Sequence, residues 1–291
     1  MEIKMNRDDV AARIKYDAAI IEEALSDILS DLDNYSPELV EAMKYSVLGG
    51  GKRIRGVICL EVCKMLGADI YEALPYACAL ELMHASSLVH DDMPELDNDD
   101  IRRGKPSCHK KYSQSTALLC GDALICLAFD AILKNQVVDC RGAVGVLCDA
   151  GGVGGIASGQ MLDIASETKD IEYNELLTLQ SLKTGRLMRA SAVLGAFAAG
   201  IDHADEFLYS SVASYAEKLG LAFQIEDDLL DAAEEGSDTR RGLATFLSFM
   251  TADEAKKMAK KLSDEAKDHI AEYEDKEFLC GLCDYLLERE Y

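Results

Sequence analysis

Two aspartate clusters, DDMPELD at 91–97 and DDLLD at 227–231, are the residues of this chain best suited to chemistry. In the second, Asp227 and Asp231 are four residues apart, so a helix sets them about 40° from each other on one face, with Asp228 beside them. In the first, Asp97 lies six residues beyond Asp91, and a straight helix would point it away. Pro94 lacks the amide proton that would continue the helix and pushes Met93 out of helical dihedrals, so the chain should bend and curl Asp97 back. Carboxylates gathered in this way repel, by about 4 kcal/mol for two unit charges 4 Å apart at an effective dielectric near 20. A cation should offset that cost. All-oxygen ligands without histidine or cysteine suit magnesium, which keeps several waters and shares its sphere with substrate phosphates. An EF-hand is set aside, because Asp97, Asp99 and Ile101 break its ligand pattern and no glycine holds its sixth position.

Short basic islands complement the acids: GGGKRIRG at 49–56, IRRGK at 101–105, CHKK at 108–111 and KTGR at 183–186. Lys52 and Arg55 follow a glycine turn that lets backbone approach an anion, and Arg102 and Arg103 follow the first acidic cluster directly. One diphosphate can therefore be held through magnesium and another by cationic side chains.

The elements that must position these groups read as helices. The four prolines are Pro37, Pro75, Pro94 and Pro106, so no residue after Pro106 interrupts a helix in that way. Ile14, Ile21, Leu25 and Ile28 share a helical face, and Ala213, Ala216, Leu219, Leu221, Ala222 and Ile225 repeat the pattern. Ser36-Pro37 and the Thr251–Glu254 capping box are helix starts. Strand-like alternation is hard to find, and no linker or sharp change of composition divides the chain. The expectation is an all-α protein, residues 1–291 forming a single helical domain.

At 291 residues and 49% hydrophobic content the chain can bury a substantial core. A formal net charge of -23 argues against nucleic acid as a partner. The ten cysteines are scattered through apolar helical context, which suits reduced thiols in the cytoplasm, and Cys280 and Cys283 read as helix packing rather than a metal or redox pair. No apolar run reaches the roughly 18 residues needed to span a bilayer.

Together the motifs YSVLGGGKRIRG, LMHASSLVHDDMPELDNDDIRRGKPSCHK, ALLCGDAL, GGIASGQMLD, SLKTGRL, LGLAFQIEDDLLD and DYLLEREY, in this order, resemble the trans-prenyl diphosphate synthases, the farnesyl and geranylgeranyl diphosphate synthases. The resemblance runs over almost the whole chain. It implies a large helical bundle around a central cavity, the type I isoprenoid synthase fold, usually as a homodimer. By position it implies that Asp91, Asp92, Asp97, Asp227, Asp228 and Asp231 bind three magnesium ions on the allylic diphosphate. Lys52, Arg55, His84 and Arg103 would hold isopentenyl diphosphate. Arg102, Lys183, Thr184 and Gln224 would face the allylic substrate, with Lys183, Thr184 and Gln224 beside the reacting carbon and Gln160 and Asp163 supporting that wall.

Ionisation of the allylic diphosphate, attack by the isopentenyl double bond and loss of a proton would then lengthen the chain by one isoprene unit. Product length would be set upstream of the first acidic cluster. Ser86, five residues before Asp91, stands where many bacterial farnesyl-forming members carry an aromatic ring. Met83 and Leu80 would lie deeper on the same face. This favours a C20 over a C15 product. Two departures are notable. Gly56 replaces a common proline, and Ser237 and Leu243 align with two lysines that approach the allylic diphosphate, with Arg240 or Arg241 as candidate substitutes.

Two rivals remain. A class I terpene cyclase would also use an aspartate cluster and magnesium, but would lack GGGKRIRG and would pair its cluster with an Asn/Ser/Glu set. A non-catalytic regulatory subunit would keep the fold, but such subunits usually lose aspartates, and both clusters are intact here.

Overall fold

The computed structural model describes residues 5–134, 140–201, 205–233 and 244–288. The two aligned lysine positions, Ser237 and Leu243, lie outside the described residues, as do Arg240 and Arg241.

Helices dominate, in the order α1 (Arg7–Ser30), α2 (Pro37–Val47), α3 (Ile54–Met65), α4 (Ile70–Asp91), α5 (Cys108–Lys111), α6 (Gln114–Leu133), α7 (Cys140–Gly151), α8 (Ile156–Ser166), α9 (Tyr173–Gln180), α10 (Arg186–Ala198), α11 (Glu206–Ala233), α12 (Ala252–His269) and α13 (Glu277–Leu287). A one-turn π segment, Ser181–Gly185, joins α9 to α10, and a 3-10 turn, Phe246–Ser248, precedes α12. Among the described residues the only strands are β1 (Ile101–Arg102) and β2 (Lys105–Pro106), an antiparallel hairpin that pairs Arg102 with Lys105.

The start signals act as their chemistry requires. Ser36 is the N-cap of α2 with Pro37 in its first turn, and the Thr251–Glu254 box caps α12 reciprocally. The apolar faces are buried as well: Ile14, Ile21 and Leu25 on α1, and Ala213, Ala216, Leu219, Ala222 and Ile225 on α11.

Helices α3, α4 and α10 are the inner members, apolar on nearly all sides, and they pack on one another. Around them α6 lies along α4 and α11 along α10, with α12 on the outside of α11. Gly121 lets α6 approach α4: a Cβ there would sit 2.1 Å from His90 Nε2, next to the first aspartate of the acidic cluster. The two acidic clusters therefore occupy the C-terminal ends of α4 and α11, helices that both pack on α10.

One sequence expectation needs correction. Averaged over a window, the stretches Gln114–Leu133 and Cys140–Ser166 are long and apolar enough to cross a membrane, with mean hydropathy 1.9 and 1.2. Asp122 and Asp130 break the first into shorter uninterrupted apolar runs. The face of α6 bearing Ala117, Cys120, Leu124, Ala128 and Ile132 is buried within the bundle. All ten cysteines are free thiols. Cys283 is buried on α13 beside Tyr215, and Cys280 is half-buried on the same helix.

Candidate active site

The first acidic cluster is built by the bend after α4. The Asp97 amide donates to the Asp91 carbonyl at 2.8 Å and the Asn98 amide to the Met93 carbonyl at 3.0 Å, so the chain does curl back past Pro94. Asn98 takes φ 51°, a left-handed conformation that asparagine tolerates well, and completes the turn. Asp92 is only 2% exposed, and Arg102 Nε donates to its Oδ1 at 2.9 Å. A second Arg102 nitrogen bonds the same oxygen and reaches Asp99 Oδ2 at 3.3 Å. The β1–β2 hairpin thus brings Arg102 back onto the cluster. Asp99, given no role from sequence, helps hold the guanidinium, and Asp100 pairs with Lys110 at 2.8 Å.

The second cluster is joined to the π segment. Thr184 Oγ1 donates to Gln224 Oε1 at 2.9 Å, and Gln224 Nε2 donates to Asp227 Oδ2 at 3.1 Å. Asp228 Oδ2 accepts from the Phe246 amide at 2.6 Å, fixing the 3-10 turn against α11. Lys183 forms an ion pair with Asp163 on α8. Burial lowers the proton affinity of its ammonium, but Asp163, Asp91 and Asp97 together raise it above the ordinary lysine value. Lys183 is therefore the cation that links the π segment to the first cluster. Gly159 makes the approach possible, since a Cβ there would meet the Lys183 amide nitrogen at 2.3 Å. No sequence signal foretold the π segment, and such bulges in a helical path often mark functional sites.

The third part is the 49–56 loop. Gly50 and Gly51 take φ 99° and 124°, conformations open to glycine. Arg53 follows with φ 51° and is 3% exposed. Its guanidinium bonds Glu22 at 2.8 Å, the Val47 carbonyl, and Glu81 at 3.5 Å. Glu81 also accepts from the Gly56 amide at 3.0 Å, a bond that a proline at this position could not donate. Arg53 was missed from sequence, although it is the middle cation of GGGKRIRG; its work is to anchor the turn that carries Lys52 and leads to Arg55.

Arg55 lies 3.3 Å from His84 Nε2 on α4, and Arg103 donates to the Gly50 carbonyl. Burial and then Arg55, Arg103, Arg53 and Arg102 push the His84 pKa well down, so the imidazole is neutral and can accept from Arg55. Lys52 sits 5.5 Å over the Tyr285 ring. The four residues expected to hold isopentenyl diphosphate thus line one loop–helix junction, with Asp227 close enough to act electrostatically on Arg55.

The carboxylates behave as a cation site would. Asp91 is pushed up to about 6 by burial, with Asp97 and Asp92 raising it further against Lys183 and Arg102. Asp228 is likewise raised to about 6, by burial and then by Asp227 and Asp231 against the Phe246 amide. Among the described residues no three His, Cys, Asp or Glu side chains converge tightly enough to hold a metal ion by themselves. Magnesium asks less of a protein, because water and substrate oxygens complete its sphere. An all-oxygen donor set, mostly half-buried and mutually repelling, fits it.

A profile of the polyprenyl synthetase family matches residues 36–280. The chain belongs to that family. Relatives agree: it is 40% identical over 289 residues to a dimethylallyltranstransferase of Fischerella ambigua, covering 93% of this chain and 81% of that one. It is 38% identical over 265 residues to a geranylgeranyl diphosphate synthase of Cyanophora paradoxa, covering 86% and 87%. The apo crystal structure of an FPP/GFPP synthase from Zymomonas mobilis superposes with a TM-score of 0.86 at 33% identity, over 97% of this chain and 100% of that one. This polyprenyl synthetase is accordingly a trans-prenyltransferase of the farnesyl/geranylgeranyl diphosphate synthase type, with the all-α fold of isoprenoid synthases. Prenyl synthases in general depend on magnesium and take isopentenyl and allylic diphosphates.

Ser86 and Met83, the expected chain-length residues, lie together on α4: Ser86 is 2% exposed and its hydroxyl donates to the Met83 carbonyl at 2.7 Å. Gln160 is 8% exposed, and among the described residues neither end of its amide has a hydrogen-bond partner. Beside the first cluster, a small cavity of about 40 Å³ lies between Ala85, Leu88 and Val89 on α4, Asp92 just past its end, and Arg102, Arg103 and Cys108.

Proposed function

We propose that this enzyme joins isopentenyl diphosphate to an allylic primer (dimethylallyl, geranyl or farnesyl diphosphate) and stops at the C20 geranylgeranyl product. The single observation that carries the choice of length is Ser86, a small buried side chain five residues before Asp91 with no aromatic ring to close the site above Met83.

Asp91, Asp92 and Asp97 on one side and Asp227, Asp228 and Asp231 on the other would hold three magnesium ions, which would neutralise the leaving diphosphate and polarise its scissile C–O bond. Arg102 and Lys183 would bind the same diphosphate directly. Both are now paired with carboxylates, Asp92 and Asp163, so they stand ready and desolvated where negative charge will grow. Lys52, Arg55, His84 and Arg103 would fix isopentenyl diphosphate, with neutral His84 helping to orient Arg55.

As the allylic C–O bond breaks, positive charge spreads over the allylic carbons. The Thr184 hydroxyl donates its hydrogen bond to Gln224, so its oxygen lone pairs can face that charge. The isopentenyl double bond attacks the allylic C1, forming the new C–C bond. Its adjacent carbon then loses a proton, with the departed diphosphate as base. The Gln160 amide would face the same wall, and Asp163 holds Lys183 in place.

Residues 1–291 would act as one catalytic domain in a cytoplasmic homodimer. Leu118 and Leu119 on α6, and Met161 and Leu162 on α8, are exposed apolar side chains suited to a second copy. A product-length assay with magnesium, isopentenyl diphosphate and each of the three primers tests the reading: C20 from every primer supports it, whereas chains ending at C15 would overturn the assigned length.

A further inference from the structure

Gly151, the last residue of α7, packs against the side chain of Met83 across the α4–α7 contact. A Cβ at 151 would lie 2.7 Å from Met83 Sδ, 3.0 Å from Cε and 3.4 Å from Cγ. The backbone gives no reason for glycine, because Gly151 is not among the residues with positive φ. Alanine would suit a helix better. What glycine provides here is a notch for the thioether. The same sulfur of Met83 also meets Ser86, whose Oγ lies 3.9 Å from Sδ. Met83 is thus held between Gly151 and the serine that the functional reading places at the bottom of the chain-binding site.

We propose that Gly151 is a chain-length determinant, a notch on the facing helix that receives the Met83 side chain and keeps the space beneath Ser86 open. Methionine is unbranched, with three rotatable side-chain bonds, so it yields to a neighbour at low cost. The growing isoprenoid presses on Met83 from the Ser86 side, and the notch lets the thioether withdraw. A methyl group at 151 removes the retreat. It meets the mobile end of Met83 rather than backbone, and it drives that end towards Ser86, where the last isoprene unit would lie.

The inference rests on the synthase reading above, and one set of assays separates the two. Wild type, Gly151→Ala, Met83→Ala and the double variant are given magnesium, isopentenyl diphosphate and geranyl diphosphate. Chain distribution is measured together with kcat/KM for the first addition and with Tm. Gly151→Ala should lower the ratio of C20 to C15 by about tenfold, the overpacking of one methyl group, and leave the first addition unchanged. Met83→Ala should lengthen the products, and the double variant should match Met83→Ala, since the added methyl then has nothing to displace. Should Gly151→Ala prove insoluble, the comparison of the double variant with Met83→Ala decides. Unchanged products in Gly151→Ala, or a shortening that persists without the methionine side chain, would overturn the notch while leaving the synthase reading intact. Failure of the wild type to consume isopentenyl diphosphate would remove the reading itself.

Discussion

The Asp97 amide donates to the Asp91 carbonyl at 2.8 Å, closing a loop that starts at the last residue of α4 and brings two aspartates six positions apart to the same end of the helix. Pro94 sits inside that loop and denies the helix its next bond. Pro94→Ala should let α4 run on and swing Asp97 outward. Supporting groups of this kind typically contribute about 10–100-fold to metal affinity. The magnesium concentration for half-maximal activity should rise by about that range, with the Tm little changed. A titration of activity against magnesium checks it, and an unchanged midpoint would mean that the bend does not matter for the metal.

Thr184 and Gln224 tie the π segment to α11 through a 2.9 Å hydrogen bond that also sets which end of the amide faces Asp227. Thr184→Val keeps the shape and removes the donor. A buried acceptor left unpaired costs about 1–3 kcal/mol, so kcat should fall roughly ten- to hundredfold. Single-turnover kinetics should place the loss in the chemical step rather than in product release.

Arg102 grips Asp92 through two nitrogens, a fork that lysine cannot reproduce. Arg102→Lys keeps the charge but loses the geometry. The KM for the allylic diphosphate should rise by about tenfold, while the KM for isopentenyl diphosphate stays near wild type. Equal changes in both would contradict the assignment of Arg102 to the allylic side.

How much of this was legible beforehand depends on the kind of signal. Composition and spacing were enough for the helices, because proline is absent after Pro106 and the burial of Ile14, Ile21 and Leu25 follows a helical period. The return of Asp97 was readable because proline has one local effect. Gly159 and Gly151 were not readable in this way. Their meaning lies in what faces them, the Lys183 backbone and the Met83 thioether, and tertiary approach leaves no mark in local sequence. Arg53 resembles its neighbours Lys52 and Arg55 on paper, and only its left-handed backbone and its bonds to Glu22 and Glu81 set it apart as an anchor.

Far from the site, Asp17 on α1 is fully buried with Arg13 at 3.4 Å and Glu61 nearby. Burial, then the Glu61 carboxylate, raises its pKa to about 8 against the pull of Arg13. The folded protein therefore keeps a proton that the unfolded chain releases at about pH 4. Because the native state binds more protons across that window, this group's stabilising contribution falls as pH rises from about 4 to about 8. Asp17→Asn should remove that slope. Urea unfolding at pH 5 and pH 8 should show wild type losing stability relative to the variant, and parallel behaviour would refute the buried proton.

The account turns on Ser86, and the most direct measurement is the product made from farnesyl diphosphate. Purified protein given magnesium, isopentenyl diphosphate and farnesyl diphosphate should release geranylgeranyl diphosphate, and Ser86→Phe should stop the same protein at C15. Refusal of farnesyl diphosphate by the wild type, with geranyl diphosphate still extended to C15, would contradict the account.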